Sequence, residues 1–227
     1  LSRVLPSEIA MMGHPALRVL AVARFANRSM RQYRMIGETK QGRGPIVVCI
    51  DESGSMRGGT DSGISRHQYA AACALACLGM AQTEKRDCTV VGFNGDVRWS
   101  YTVKADGSVR ANKGRRLLKG TGCAAVAMHI ATSKPNGGTR FGPVLEHALD
   151  LPEGVESERA DLILVTDGYA ELPDSVAARL EDSREKGMRL YGLTVGGGSM
   201  SAAVRTLAHV VLDIDTATEA EVAHAIA

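Results

Sequence analysis

The stretch GPIVVCIDESGSMRGG, Gly44 to Gly59, decides the fold. Five apolar residues, Ile46-Val47-Val48-Cys49-Ile50, run without polar alternation and then give way to Asp51, Ser53 and Ser55 among glycines. A continuous β-branched run of this length reads as a strand covered on both faces, as in the parallel sheets of α/β proteins. In such sheets ligands sit just beyond the carboxyl ends of the strands. Asp51, Ser53 and Ser55 therefore fall where an open α/β fold places its chemistry.

Working outward, strand and helix patterns alternate from Pro45 onward. Strands are expected at 46–50, 88–93, 97–103, 161–166, 189–195 and 209–213. Helices are expected at 66–84, 123–132, from Thr139, at 173–187, at 200–208 and from 217. The 97–103 segment alternates polar and apolar residues, which predicts an edge strand. Residues 104–120 are basic and glycine-rich, and predict a loop with a short helical turn at 113–118. The whole pattern predicts an α/β fold: a doubly wound, mainly parallel central sheet with helices on both faces.

The 227 residues suffice for one such domain with a short appendage. Residues 1–43 read as a helical segment, the end of a preceding helical region, and 44–227 as the α/β domain. The chain begins at Leu1 rather than methionine, as a piece of a longer protein or a processed one would. Net charge is +2, but residues 1–44 hold eight Lys/Arg against two Asp/Glu, so the remainder carries −4. In the basic segment Ala16, Leu17, Leu20, Ala21 and Phe25 recur at helical spacing, with Arg18, Arg24, Arg28, Arg31 and Arg34 interleaved. That pattern predicts a helix with a solvated basic side.

Five cysteines without a C-x-x-C pair point to buried core thiols in a reducing compartment rather than to a disulfide framework or a thiolate metal site. No apolar stretch is long enough to span a bilayer and no signal peptide is evident, so the expected localisation is cytoplasmic.

Three loops carry the chemistry: Asp51-Glu52-Ser53-Gly54-Ser55, Gly137-Gly138-Thr139, and Thr166-Asp167-Gly168 after a second buried strand. With parallel strands the first and third lie at one edge of the sheet. The glycine turn lets the backbone bring the Thr139 hydroxyl there too. Two carboxylates and three hydroxyls form an all-oxygen set, which suits a hard cation, Mg²⁺ ahead of Ca²⁺ or Mn²⁺; zinc prefers His or Cys. Because hydroxyls are neutral, a divalent ion there would seek one more anionic oxygen from outside. The alternative for each residue is helix capping by Ser53 and Thr139.

D-E-S-G-S at 51–55, the threonine after Gly-Gly at 139 and T-D-G at 166–168 resemble the three elements of the von Willebrand factor A (VWA) domain. In that family they form the metal-ion-dependent adhesion site, MIDAS. The resemblance implies that Ser53, Ser55 and Thr139 ligate Mg²⁺, that Asp51 and Asp167 act through water and hydrogen bonds, and that a partner's Glu or Asp completes the octahedron. A departure from the family pattern is Arg140, where many members have an acidic or amide residue. Its guanidinium would either favour an acidic partner or turn into solvent.

A narrower resemblance rests on Leu1-Ser2-Arg3-Val4-Leu5-Pro6-Ser7-Glu8, on Arg31-Gln32-Tyr33 and on the 44–56 stretch. These look similar to bacterial ViaA/CoxE-like VWA proteins. That likeness implies an adaptor working with a MoxR-type AAA+ ATPase or its client, in protein remodelling or metalloprotein maturation. The function expected is thus a metal-dependent protein-interaction module, not an enzyme. On this reading Asp51→Ala would leave the fold intact and abolish metal-dependent binding.

Two other functions compete. A Mg²⁺-dependent hydrolase or phosphotransferase would need a base near the loops. The sequence offers only His67 and His147, and has no G-x-S-x-G elbow or P-loop. Nucleic-acid binding through the basic N-terminal helix and Arg110, Lys113, Arg115, Arg116 and Lys119 would lack stacking aromatics beyond Phe25 and Tyr33.

Overall fold

The computed structural model describes residues 44–60, 63–113, 122–151 and 159–213. The helical segment expected at 1–43 and the terminal helix expected from 217 lie outside them. In chain order the elements are β1 (Ile46–Asp51), a single 3-10 turn (Gly54–Arg57), α1 (Arg66–Glu84), β2 (Cys88–Phe93), β3 (Val97–Val103) and β4 (Val109–Lys113). Then follow α2 (Gly122–Thr132), α3 (Phe141–Asp150), β5 (Asp161–Thr166), α4 (Asp174–Glu185), β6 (Arg189–Thr194), α5 (Ala202–Leu207) and β7 (Val210–Asp213).

The seven strands form one sheet in the order β4-β3-β2-β1-β5-β6-β7. β2, β1, β5, β6 and β7 are parallel, and β3 and β4 join as an antiparallel extension. From β1 the chain builds first toward β2 and later, on the other side, toward β5. β1 therefore stands at the switch point where open α/β sheets bind their ligands.

All six residues of β1 and of β2 are buried, the apolar run 46–50 as a doubly covered strand requires and the polar Asp51 and Thr89 along with it. Side chains of β1 alternate between two cores. Ile46, Val48 and Ile50 join Ala70, Ala74, Leu78, Val126 and Ile130 beneath α1 and α2. Val47 and Cys49 join Phe141, Val144, Leu145, Val176 and Leu180 on the opposite face, beneath α3 and α4. Burying each such aliphatic or aromatic side chain contributes about 1.5–3 kcal/mol, so the strand that ends in Asp51 is anchored from both sides. Ser65 caps α1 reciprocally with Gln68, at 3.2 Å and 2.8 Å.

The structure corrects three expectations. β3 is not the edge: β4 pairs outside it. The polar positions of β3, Ser100 and Thr102, are buried and hydrogen-bonded across the ladder, Thr102 to Thr89 at 2.8 Å and both to Asn112. Alternation in β3 thus reports a polar sheet face rather than an edge. The second correction is β4 itself, which replaces the first part of the expected loop and its helical turn at Lys113; residues 114–121 lie outside the described set. Its signal was the Asp106-Gly107 turn, closed by Lys104 N–H donating to the Ser108 carbonyl at 2.8 Å. Third, α3 begins at Phe141 with Arg140 as N-cap, not at Thr139.

The five cysteines are free: Cys49 and Cys88 are buried, and Cys73, Cys77 and Cys123 half-buried. Burial pushes the Cys77 thiol up to about 12 and raises those of Cys49, Cys73 and Cys88 as well. They stay protonated and pack as small apolar groups. Among the described residues no helix is long and apolar enough to cross a membrane.

Candidate metal centre

β1 and β5 run side by side in parallel, with Ile50 opposite Val165. Their register places Asp51 beside Thr166, and the chemistry-bearing residues just beyond both strands. Asp51 is fully buried: its Oδ1 accepts from Ser53 N–H at 2.7 Å and its Oδ2 from Thr166 Oγ1 at 2.6 Å. Burial pushes its carboxyl up, and the nearby charge of Asp167 adds to this, against the pull of those hydrogen bonds.

Ser53 and Ser55 point their hydroxyls toward each other, 3.0 Å apart, and Ser55 Oγ donates to Asp167 Oδ1 at 2.8 Å. Ser53 stands at the N-cap of the 3-10 turn yet its side chain caps nothing. The Arg140 N-cap of α3 likewise leaves Thr139 without a capping task. Thr139 Oγ1 faces Gly168 closely enough that a Cβ there would lie 3.5 Å away. The structure therefore brings Asp51, Ser53, Ser55 and Asp167 into one hydrogen-bonded cluster and sets Thr139 against the loop that follows Asp167.

The loop that delivers Thr139 is sewn to its neighbours through the backbone. Asn136 N–H donates to the Glu52 carbonyl at 2.6 Å, Gly54 N–H to the Gly137 carbonyl at 2.8 Å, and Arg140 N–H to the Asn94 carbonyl at 3.0 Å. Arg57 Nε reaches the Pro135 carbonyl at 2.8 Å. Backbone groups fixed in this way hold the hydroxyls without spending them.

Two functional neighbours escaped the sequence reading. The first is Glu52, the residue between Asp51 and Ser53, which turns inward and is fully buried. Its Oε2 accepts from Arg98 at 2.6 Å and from Trp99 Nε1 at 3.0 Å, while Oε1 has no hydrogen bond and faces His67 Nε2 at 3.8 Å. The second is Arg66, the first residue of α1. Its Nη1 donates to Asp167 Oδ2 at 2.7 Å. The guanidinium beside the cluster is thus Arg66. Arg140 is exposed, and its charge acts on Asp96. Nothing in the local sequence around Arg66 marks it, because its partner lies 101 residues away.

The donor set fits a hard divalent cation. Among the described residues no group of three or more His, Cys, Asp or Glu side chains converges, so metal binding here would rest on hydroxyl oxygens backed by two carboxylates. The Arg66 guanidinium already acts as a cation at this cluster.

Residues 46–170 match the family model described as the von Willebrand factor type A domain. An uncharacterized protein of Methanocaldococcus jannaschii is 28% identical over 175 residues, covering 77% of this chain and 35% of that protein. The chain thus spans about a third of that relative's length. The crystal structure of the conserved hypothetical protein BatB from Bacteroides thetaiotaomicron aligns with a TM-score of 0.52 at 16% identity, over 81% of this chain and 96% of that one. Proximal thread matrix protein 1 from the mussel byssus, solved with a zinc-occupied MIDAS motif, aligns with a TM-score of 0.50 at 17% identity, over 82% of this chain and 45% of that one. These two likenesses concern the fold. With more than half of its residues under the family model, the chain belongs to the von Willebrand factor type A domain family.

Proposed function

We propose that this chain is a metal-dependent protein-interaction module. A divalent cation, Mg²⁺ in the first place, is held by Ser53, Ser55 and Thr139 and captures a Glu or Asp carboxylate on a partner protein. The observation that carries this reading is the pair of serine hydroxyls 3.0 Å apart, that of Ser53 capping nothing and that of Ser55 donating to a carboxylate. When bound, the metal supplies a charged bond to the partner's oxygen. The chain's own residues do the positioning. Asp51 fixes the Ser53 backbone and Asp167 fixes the Ser55 hydroxyl. Both carboxylates are already committed to hydrogen bonds, which suits an outer role around the ion.

The rim favours an acidic partner. Arg57 and Arg140 are exposed on the loops around the cluster, and Tyr169, 62% exposed, follows the Asp167-Gly168 turn. Cations steer an acidic surface inward, and an exposed tyrosine supplies contact area at low entropic cost. The residue environment supports binding over catalysis. His67 is engaged with Ser133 at 3.1 Å and faces Glu52, and His147 lines a cavity with Lys85 and Arg86 beside Gly44 and Pro45, where β1 begins.

The partner proposed is a MoxR-type AAA+ ATPase or its client, with the protein acting as a cytoplasmic adaptor. The test is retention of the purified ATPase on the immobilised chain in Mg²⁺ and in EDTA, using wild type and Ser53→Ala/Ser55→Ala. Retention only with metal and intact serines is expected. Equal retention in every arm overturns the metal-dependent reading.

A further inference from the structure

Resting on the metal reading above, we propose that Arg66 is a built-in counter-cation that makes metal loading conditional on an acidic ligand, so that the divalent ion and the partner carboxylate are taken up together. The argument begins with where Arg66 stands. It is the first residue of α1, the positive end of the helix dipole, where a cation is disfavoured. Its Nε is buried without a hydrogen-bond partner, a further cost. The side chain is held there by the fully buried carboxylate of Asp167 at 2.7 Å, with a weaker contact from Nη2 to the Gly196 carbonyl at 3.4 Å.

The slot around it is built to size. Gly196 has φ +71, and a Cβ there would overlap the guanidinium. Arg66 N–H also donates to the Gly58 carbonyl at 2.9 Å, tying the helix start to the loop of Ser53 and Ser55. An arginine placed at the unfavourable end of a helix, past Gly196, onto the Asp167 carboxylate calls for an electrostatic explanation.

Charge counting supplies one. Asp51 and Asp167 bring two negative charges to the cluster, the hydroxyls bring none, and Arg66 cancels one. Without Arg66, a divalent ion alone would make the cluster neutral. With Arg66, the same ion leaves one uncompensated positive charge in a largely buried setting, and neutrality returns only when an external carboxylate joins. Charges a few ångströms apart in such a setting interact strongly. By linkage, a ligand that strengthens metal binding is itself bound more tightly by the metal-loaded chain, by the same factor. Arg66 thereby suppresses the metal-alone state and favours the ternary one.

The test is a Mn²⁺ titration followed by the electron-paramagnetic-resonance signal of free Mn²⁺, in sodium chloride and in sodium acetate at equal ionic strength. Wild type, Arg66→Gln, Arg66→Lys and Ser53→Ala/Ser55→Ala are compared, with metal-free melts to confirm folding. In chloride, Arg66→Gln is expected to bind Mn²⁺ about tenfold tighter than wild type or more, and Arg66→Lys to stay near wild type. Acetate is expected to tighten Mn²⁺ binding to wild type several-fold and to Arg66→Gln much less. Equal affinities and equal acetate responses in wild type and Arg66→Gln overturn the counter-cation role and leave the metal site standing. No saturable, serine-dependent Mn²⁺ binding in any chain, with or without acetate, overturns the metal reading itself. Should Arg66→Gln fail to fold, the acetate response of wild type decides: an unchanged Mn²⁺ affinity overturns the proposal.

Discussion

Arg98 Nη1 donates to Glu52 Oε2 at 2.6 Å and to the Lys134 carbonyl at 2.9 Å, so one guanidinium joins the loop after β1 to the loop that carries Thr139. Trp99 adds an indole N–H to the same carboxylate oxygen. The residue between Asp51 and Ser53 is therefore the internal brace of the loops that carry Ser53, Ser55 and Thr139.

Glu52→Gln keeps the shape of the brace and removes its charge, leaving Arg98 without its ion pair. A loss of roughly 2–4 kcal/mol near neutral pH is expected. Burial opposes ionisation of Glu52, but the dipoles of His67, Ser133 and Trp99 and the Arg98 charge more than offset it, so the net direction is below the ordinary value of 4.5. A depressed acid contributes stability above its unfolded value and loses it as pH falls through the lower folded value. Urea melts of wild type and Glu52→Gln should therefore differ most above pH 4.5 and converge in stronger acid. A constant gap across that range would remove the charge from the account.

Ser55 is exposed and Asp51 fully buried, which separates two variants that the sequence treats alike. Ser55→Ala forfeits the hydrogen bonds to Asp167 and to Ser53 and should cost about 1–2 kcal/mol, while Mg²⁺ should no longer raise the melting temperature. Asp51→Ala strips the acceptor from Ser53 N–H and Thr166 Oγ1 at once. A loss of about 2–4 kcal/mol is expected. This geometry adds a stability cost to the expected loss of metal-dependent binding in Asp51→Ala. Thermal melts with and without Mg²⁺ distinguish the two variants.

Tyr169 has no part in the core, being 62% exposed just past the Asp167-Gly168 turn. Tyr169→Ala should leave the melt unchanged and weaken partner binding by about tenfold or more, as for an aromatic anchor beside a central contact. Titration calorimetry with the partner reads this directly; unchanged affinity would place the partner's footprint elsewhere.

Gly92 lies beneath the indole of Trp99, and a Cβ there would overlap the ring. Trp99 stacks on Tyr101 with centroids 5.7 Å apart. Gly92→Ala should cost roughly 1–3 kcal/mol and displace the indole from Glu52. Trp99 is the chain's one tryptophan, so its fluorescence maximum should shift toward that of a solvated ring. An unmoved spectrum with full stability would mean that the sheet absorbs the methyl group.

Short-range pattern made the buried strands and the longest helix legible. The unbroken apolar runs at 46–50 and 162–165 defined buried parallel strands, and the positions just beyond them defined the loops that bear Asp51, Ser53, Ser55 and Asp167. Helix 66–84 was equally legible from its periodicity. The polar strand β4 was not. Val109-Arg110-Ala111-Asn112-Lys113 has no apolar signature and pairs because β3 offers an open ladder next to a tight turn. Above all, only tertiary structure decided the electrostatics of the site. Arg66 meets Asp167 across 101 residues and Arg98 meets Glu52 across 46. Such pairings follow from where sheet and helix ends converge. Charge acts through distance in space, while sequence records only distance along the chain.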